Sequence, residues 1–77
     1  MFDLTIVGRN KVLFKDAANS AFFEGIDTDF EVMSFHSPLM GVLKRGHIVI
    51  DNKYKIRVAS GIVGFYENKC YVIAEDV

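Results

Sequence analysis

The stretch that decides the fold is KYKIRVASGIVGFYENKCYVIA, residues 53–74. At its start, Tyr54, Ile56 and Val58 alternate with three cations, the period-two pattern of a strand with one packed face and one solvated face. A slip of one residue would bury the cations, so the register of this strand is well specified. Two further apolar runs follow, separated by turn residues. Gly64 interrupts the first of them and leaves a gap where another backbone or side chain can approach closely.

The residues before this stretch repeat the pattern of short strands and tight turns. Residues 2–6 alternate apolar and polar side chains, and residues 12–14 resume after a Gly-Arg-Asn-Lys turn. Residues 17–24 have the alanines of a short helix, but two phenylalanines ahead of Gly25 favour a strand. We predict one all-β domain over residues 1–77, a flattened antiparallel β-sandwich or barrel of about eight to ten short strands.

The composition excludes several function classes. Nine Lys and Arg stand against ten Asp and Glu in 77 residues, so the basic surface that nucleic acid requires is missing. No apolar run approaches the ~20 residues that span a bilayer. The N-terminus carries Asp3 and lacks the basic region of a signal peptide. Cys70 is the only cysteine, which fits a reducing compartment. We expect a cytoplasmic domain without direct insertion into the bilayer.

The side chains that could do chemistry are too scattered for a catalytic site. His36, His47 and Cys70 lack the paired spacing of zinc ligands. Cys70 falls in a strand pattern with nothing nearby to lower its pKa, so a packing role is favoured. The six glycines form no phosphate-binding loop, and no Ser/His/Asp order stands out. We expect neither enzyme activity nor a bound cofactor or metal.

Two local features leave alternatives open. Asp27, Asp29 and Glu31 form an acidic row that would suit a hard cation, a basic partner or simply a solvated loop. Lys69 stands at a hairpin tip, as the modified lysine does in lipoyl and biotinyl carrier domains. The flanking Glu67-Asn68 and Cys70 differ from the small and apolar neighbours of that lysine, so a plain turn is favoured. A carrier domain and a generic β-sandwich interaction domain remain as alternatives.

Four segments of the chain share the order and spacing of one known family. They are the hairpin of residues 4–14, His-Ser-Pro-Leu at 36–39 with Leu-Lys-Arg-Gly at 43–46, Ser-Gly-Ile-Val at 60–63, and the hairpin of residues 68–75 with its Val-Ile-Ala-Glu close. Together they resemble the N-terminal β-sandwich of the epsilon subunit of F-type ATP synthase, over essentially all 77 residues.

This resemblance implies a non-catalytic subunit of the central stalk, or rotor. Such a subunit links the gamma subunit to the membrane c-ring and couples ion-driven rotation to ATP synthesis. It lies peripherally at the cytoplasmic face of the inner (plasma) membrane. The resemblance places three residues at the c-ring interface: Asp29, Phe30 and Glu31. It places seven at the gamma-subunit interface: Gly8, His36, Ser37, Pro38, Leu39, Met40 and Gly41.

The chain also departs from the family pattern. The family has glycines and a proline before its histidine, where this chain has Thr28, Glu31, Ser34 and Phe35. Phe35 adds an apolar anchor to the proposed contact surface. Typical epsilon subunits continue into a pair of C-terminal helices, which carry nucleotide binding and self-inhibition. We therefore expect no C-terminal helical hairpin and no nucleotide binding in these 77 residues.

Overall fold

The computed structural model describes residues 1–76, which form seven β-strands and no helix. The predicted all-β sandwich fold is confirmed. In chain order the strands are β1 (Phe2–Gly8), β2 (Lys11–Ala18), β3 (Ser20–Gly25), β4 (Phe30–Met33), β5 (Leu39–Ile50), β6 (Tyr54–Tyr66) and β7 (Lys69–Asp76).

The strand number is lower than the predicted eight to ten because two predicted breaks lie inside strands. Residues 44–46 belong to β5 and residues 60–61 belong to β6. Their glycines have no positive φ, so Gly46 and Gly61 continue the extended backbone, opposite Val58 and Leu43 respectively. True turns occur where non-glycine residues adopt positive φ, at positions 51–52 and 67–68. Gly46 and Gly61, which lie between apolar runs, therefore did not mark turns, whereas the Asp, Asn and Glu residues with positive φ did.

The sheet has the strand order β2-β1-β7-β6-β5-β3-β4. Five of its six neighbouring pairs are antiparallel, as predicted, and the β1–β7 pair is parallel. In that pair Leu4 lies opposite Cys70 and Val7 lies opposite Ile73. The first strand is thereby held between its own hairpin partner and the last strand of the fold.

The sheet curls back on itself at Asn19. This single residue joins β2 at one end of the strand order to β3 next to the other end. The carboxylate of Asp51 fixes the crossing, because its Oδ1 accepts the N–H groups of Asn19 at 2.7 Å and Ser20 at 3.0 Å. The preference for strand over helix across residues 17–24 is thus confirmed, with one bend inside it.

The curled sheet forms two layers around one core. We call the first layer β2, β1, β7 and the paired halves of β6 and β5 at residues 60–66 and 39–43. The second layer is β4, β3 and the other halves, residues 47–50 and 54–58. The core is apolar throughout the described residues, and Phe65 packs edge-on against Phe2 with ring centroids 5.5 Å apart.

Candidate interaction site

A groove opens at one end of the sandwich, between the β3–β4 connection, the β4–β5 connection and the start of β5. Its volume is about 420 Å³. We call it the loop groove. It is lined by Gly25, Ile26, Asp27, Thr28, Phe30, His36, Leu39, Met40, Gly41, Val42 and Ile62. The groove therefore collects residues that the sequence analysis assigned to two different partners.

Phe30 forms part of the groove wall rather than a free contact. Its ring stacks on Phe23, with centroids 5.2 Å apart and an interplanar angle of 28°. The ring also lies over two glycines: a Cβ added at Gly41 would sit 2.8 Å from Phe30 Cζ, and one at Gly25 would sit 3.2 Å from Phe30 Cε1. Gly25 additionally faces the carbonyl of Thr28. These two glycines are needed because the half-buried aromatic ring occupies the space of their side chains.

The acidic residues beside Phe30 are fully available to a partner. Asp29 ends the β3–β4 connection and Glu31 stands on β4, and both are exposed. Asp27 is exposed in the same connection. Within residues 1–76, no three His, Cys, Asp or Glu side chains converge as metal ligands would. Of the three predicted c-ring residues, the two carboxylates rather than Phe30 present their side chains outward.

His36 is held firmly at the groove rim. Its Nδ1 lies 2.7 Å from the carbonyl oxygen of Ser37, so Nδ1 carries the proton and donates it. The imidazole packs edge-on against Phe65, with ring centroids 5.8 Å apart. Its backbone N–H donates to the carbonyl of Met33 at 3.2 Å. The side chain is exposed but oriented, which suits recognition through Nε2.

Phe35 projects into solvent from a strained backbone. Its side chain is 83% exposed and its φ is +61°, an outlier for a bulky residue. Its N–H donates to Asn68 Oδ1 at 2.7 Å, while Asn68 Nδ2 donates to the carbonyl of Met1 at 2.9 Å. Strain of this kind is kept where surrounding structure fixes it. The sequence around Asn68 predicts only a turn, and no local signal indicates this long-range role.

Most of the remaining predicted gamma-subunit residues lie in or beside the groove, whereas Gly8 lies outside it, at the end of β1. Ser37 and Pro38 are exposed in the β4–β5 connection, Leu39 packs partly against the core, and Met40 is 81% exposed. Gly8 ends β1 next to the Asp76 carboxylate and is not among the groove residues. The structure thus brings His36, Leu39, Met40 and Gly41 together and leaves Gly8 apart from them.

The other two candidate reactive groups have structural surroundings. The N–H of His47 donates to Glu24 Oε2 at 2.7 Å. Cys70 is fully buried, and burial raises the pKa of its thiol from 9.0 to about 12. The packing role predicted for Cys70 is confirmed, because such a thiol is neither nucleophilic nor a ready metal ligand.

One surface contains features that were not predicted from the sequence: the outer side of the first layer. Two neighbouring rows of outward-facing residues cross four of its five strands there: β5, β6, β7 and β1. We call these rows the apolar face. One row consists of Val42, Ile62, Ile73 and Val7, and the next consists of Met40, Gly64, Tyr71 and Thr5. Across these four strands neither row contains a charged side chain, and Lys15 on β2 bounds the second row beyond Thr5. Five members, Met40, Tyr71, Ile73, Ile62 and Val42, are more than half exposed. The signal for this surface in the sequence was that apolar residues occupy both the inward-facing and the outward-facing positions of β6 and β7.

None of the described residues belongs to a helix with the length and hydropathy needed to cross a membrane.

Comparisons with known proteins agree on one family. The family model described as the ATP synthase delta/epsilon chain β-sandwich domain matches residues 1–77. The ATP synthase epsilon chain of Chlorobium limicola is 34% identical, over 99% of this chain and 91% of the relative. That of Rhodospirillum rubrum is 28% identical, and the match spans 58% of its length.

Solved structures show the same fold at low sequence identity. A chain in the central stalk and c-ring structure of Tetrahymena thermophila mitochondrial ATP synthase superposes with a TM-score of 0.83 at 13% identity. A chain in the Euglena gracilis mitochondrial ATP synthase structure, which covers OSCP, F1 and the c-ring, has a TM-score of 0.81 at 10% identity. This protein covers 63% and 48% of those two chains.

Proposed function

Because this chain belongs to the ATP synthase delta/epsilon β-sandwich family, whose epsilon chains are non-catalytic subunits of the synthase, we propose that it joins the gamma subunit of the central stalk to the membrane c-ring. In that position it helps couple ion-driven rotation to ATP synthesis. It lies peripherally on the cytoplasmic face of the membrane that holds the ring.

The observation that carries this proposal is the loop groove. Its rim presents His36, Met40 and, from the neighbouring turn, Phe35, all exposed and all on rigid supports. Exposed apolar anchors beside oriented polar groups are the usual anatomy of a protein interface. Leu39 and Phe30 tie this rim to the core, so a load applied at the groove reaches the whole sandwich. A subunit that transmits rotation needs such a connection.

The c-ring contact is proposed for the exposed carboxylates of Asp29 and Glu31. They stand on either side of Phe30, whose ring stiffens the connection from inside. Exposed carboxylates contribute through charge and hydrogen bonding rather than through apolar burial. A basic or hydrogen-bond-donating loop of the ring is the matching surface.

Co-purification with the gamma subunit tests the proposal. The chain is co-expressed with the gamma subunit of the same organism and captured through a tag on either partner. We expect a stable pair, weakened at least tenfold by Met40→Ala or Phe35→Ala while the melting temperature of the isolated chain is nearly unchanged. Tyr54→Ala is the control, because Tyr54 is also a large exposed side chain but lies at the start of β6 in the second layer, away from the groove and from the apolar face.

Failure to recover the pair would contradict the proposal. Equal losses of stability and binding in Met40→Ala would also count against it, because Met40 would then serve the core. The carrier-domain alternative at Lys69 predicts a covalent mass increase on that lysine, which intact-mass measurement on the protein from its source detects. We expect the unmodified mass, and titration with ATP should produce no binding heat.

A further inference from the structure

Gly64 forms a notch at the centre of a ring of large apolar side chains. A Cβ built on Gly64 would meet no atom within 4 Å. Met40 and Tyr71 lie beside Gly64 on the neighbouring strands, and Ile62 and Tyr66 lie two residues before and after it on β6. All four surrounding side chains are more than half exposed. The result is an apolar socket whose floor is strand backbone.

The chemistry of the socket selects its occupant. Its walls are one thioether, one aliphatic and two aromatic side chains, and its backbone floor is paired to β5 and β7 on either side. A polar or charged tip would therefore lose its water at a floor that offers no free backbone group, and only the hydroxyls at the outer ends of the two tyrosines could replace that water. A single aliphatic or aromatic side chain fits, in the way that binding hot spots pair an apolar anchor with a desolvated pocket.

We propose that this notch receives one apolar side chain of the gamma subunit and is a specificity-determining part of that interface. The inference rests on the proposed function above and extends it from the loop groove to the apolar face. The two surfaces are continuous, because Met40, Val42 and Ile62 line the loop groove and also stand on the apolar face. A partner seated in the groove therefore reaches the notch without a gap.

The size of the apolar face argues against a second copy of this chain as the occupant. Four strands about 4.8 Å apart span only about 14 Å, and the two rows lie about 7 Å apart. A stable interface buries about 800 Å² on each partner. The face alone falls short of that area, whereas the face and the adjoining loop groove together offer a larger continuous surface to a partner already seated in the groove.

The test fills the notch without harming the fold. Gly64 does not have positive φ, and there is open space at its Cβ, so Gly64→Ala and Gly64→Val fit the strand. Valine is also a better strand former than glycine. The affinity of each variant for the gamma subunit is measured by titration, together with its melting temperature. We expect a small loss for alanine and at least a tenfold loss for valine, with melting temperatures equal to or above the wild type.

Each outcome decides between the two proposals. If wild type and Gly64→Val bind the gamma subunit equally, the notch inference is overturned and the proposed function stands. If the wild type does not bind at all, the proposed function fails and the inference fails with it. If sedimentation shows a wild-type dimer that valine abolishes while gamma binding is unchanged, the occupant is a second copy and the inference is overturned.

Discussion

The outer face of the first layer and the outer face of the second layer share two strands, β5 and β6, and differ in what those strands present to water. On the first layer the two rows of the apolar face carry no charge across β5, β6, β7 and β1, and the exposed Lys15, Lys69 and Glu75 lie around them. On the second layer one row has a cation at one end and an anion at the other. It crosses four strands, from Lys55 through Val49 and Phe22 to Glu31. Next to it His47 faces Arg57, and all the charged members are exposed.

This difference separates a charged face from an apolar face within one continuous sheet. Strand 54–58 exposes cations at every outward position, so its alternation indicates only which side is packed. The second half of the same strand exposes Ile62 and Tyr66 and leaves Gly64 bare. Apolar side chains concentrated on one outer face mark an interaction surface. Under the proposal above, the apolar face serves assembly, and the charged face stays solvated except at Glu31.

The largest expected effect tests whether the two layers share one core. Phe65 supports the first layer and Phe23 the second, and both are fully buried. Phe65→Ala and Phe23→Ala should each lower the free energy of unfolding by about 3–5 kcal/mol. Denaturant unfolding followed by circular dichroism and by tyrosine fluorescence should give coincident transitions for the wild type. Separate transitions for the two probes would mean that the two layers unfold independently and do not share one core.

The next effect is specific to the first layer and depends on pH. Because burial raises the pKa of the Cys70 thiol to about 12, the folded state keeps its proton while the unfolded state loses it above 9.0. The stabilisation is complete below pH 9 and is lost as the pH rises towards 12. At pH 10.5 the loss is roughly 2 kcal/mol. Urea unfolding at pH 8 and 10.5 measures it.

Cys70→Val is the control for this pH effect, since valine fills a similar volume without a titrating group. The difference between wild type and variant isolates the thiol from the lysines and tyrosines that titrate in the same range. An identical pH dependence in the two proteins would show that the thiol is accessible to water and that the first layer is less tightly packed than the second.

A pair of substitutions exchanges the character of the two outer faces with little effect on stability. Ile73→Lys places a cation on the apolar face, and Lys55→Ile removes one from the charged face; both positions are exposed. Each should change the free energy of unfolding by no more than about 0.5 kcal/mol. Ile73→Lys should weaken gamma-subunit binding at least tenfold, and Lys55→Ile should leave it unchanged. Equal binding by both variants would remove the functional distinction between the faces.

The smallest expected effect concerns the one ion pair found in residues 1–76. Lys11 Nζ lies 3.3 Å from Asp76 Oδ2 at the edge of the first layer, with the lysine side chain 62% exposed. Lys11→Ala should cost no more than about 0.5 kcal/mol, and the cost should disappear in high salt. A larger, salt-independent loss would show that this charged edge contributes to the first layer as strongly as apolar packing does.

The sequence determined the fold class because local patterns carry it. Neighbouring residues in the chain alone determine two of these patterns. They are the apolar–polar alternation of residues 54–58 and the positive-φ turn at residues 51–52. Gly46 and Gly61 were misleading because a glycine accepts extended backbone as readily as a turn. The parallel β1–β7 pair was also missed, since pairing between chain ends leaves no local signal.

The candidate site was predictable as a segment but not as a surface. Residues 36–41 were identified through the family resemblance, and five groove residues lie in or beside that segment. The inward orientation of Phe30 follows from its stacking on Phe23, which no spacing rule gives. The role of Asn68 depends on contacts with Met1 and Phe35 that only the folded chain creates.

The pairing of β1 with β7 also dictates when this protein can fold during synthesis. Of the seven strands, β1 leaves the ribosome first, and β7, which pairs with its second edge, leaves last. Such distant contacts make closure slow relative to local hairpins. Until β7 emerges, the β1–β2 hairpin has an open edge with Leu4 and Ile6 unburied, which exposes the nascent chain to aggregation. The sandwich therefore closes only after the last of its seven strands has been made.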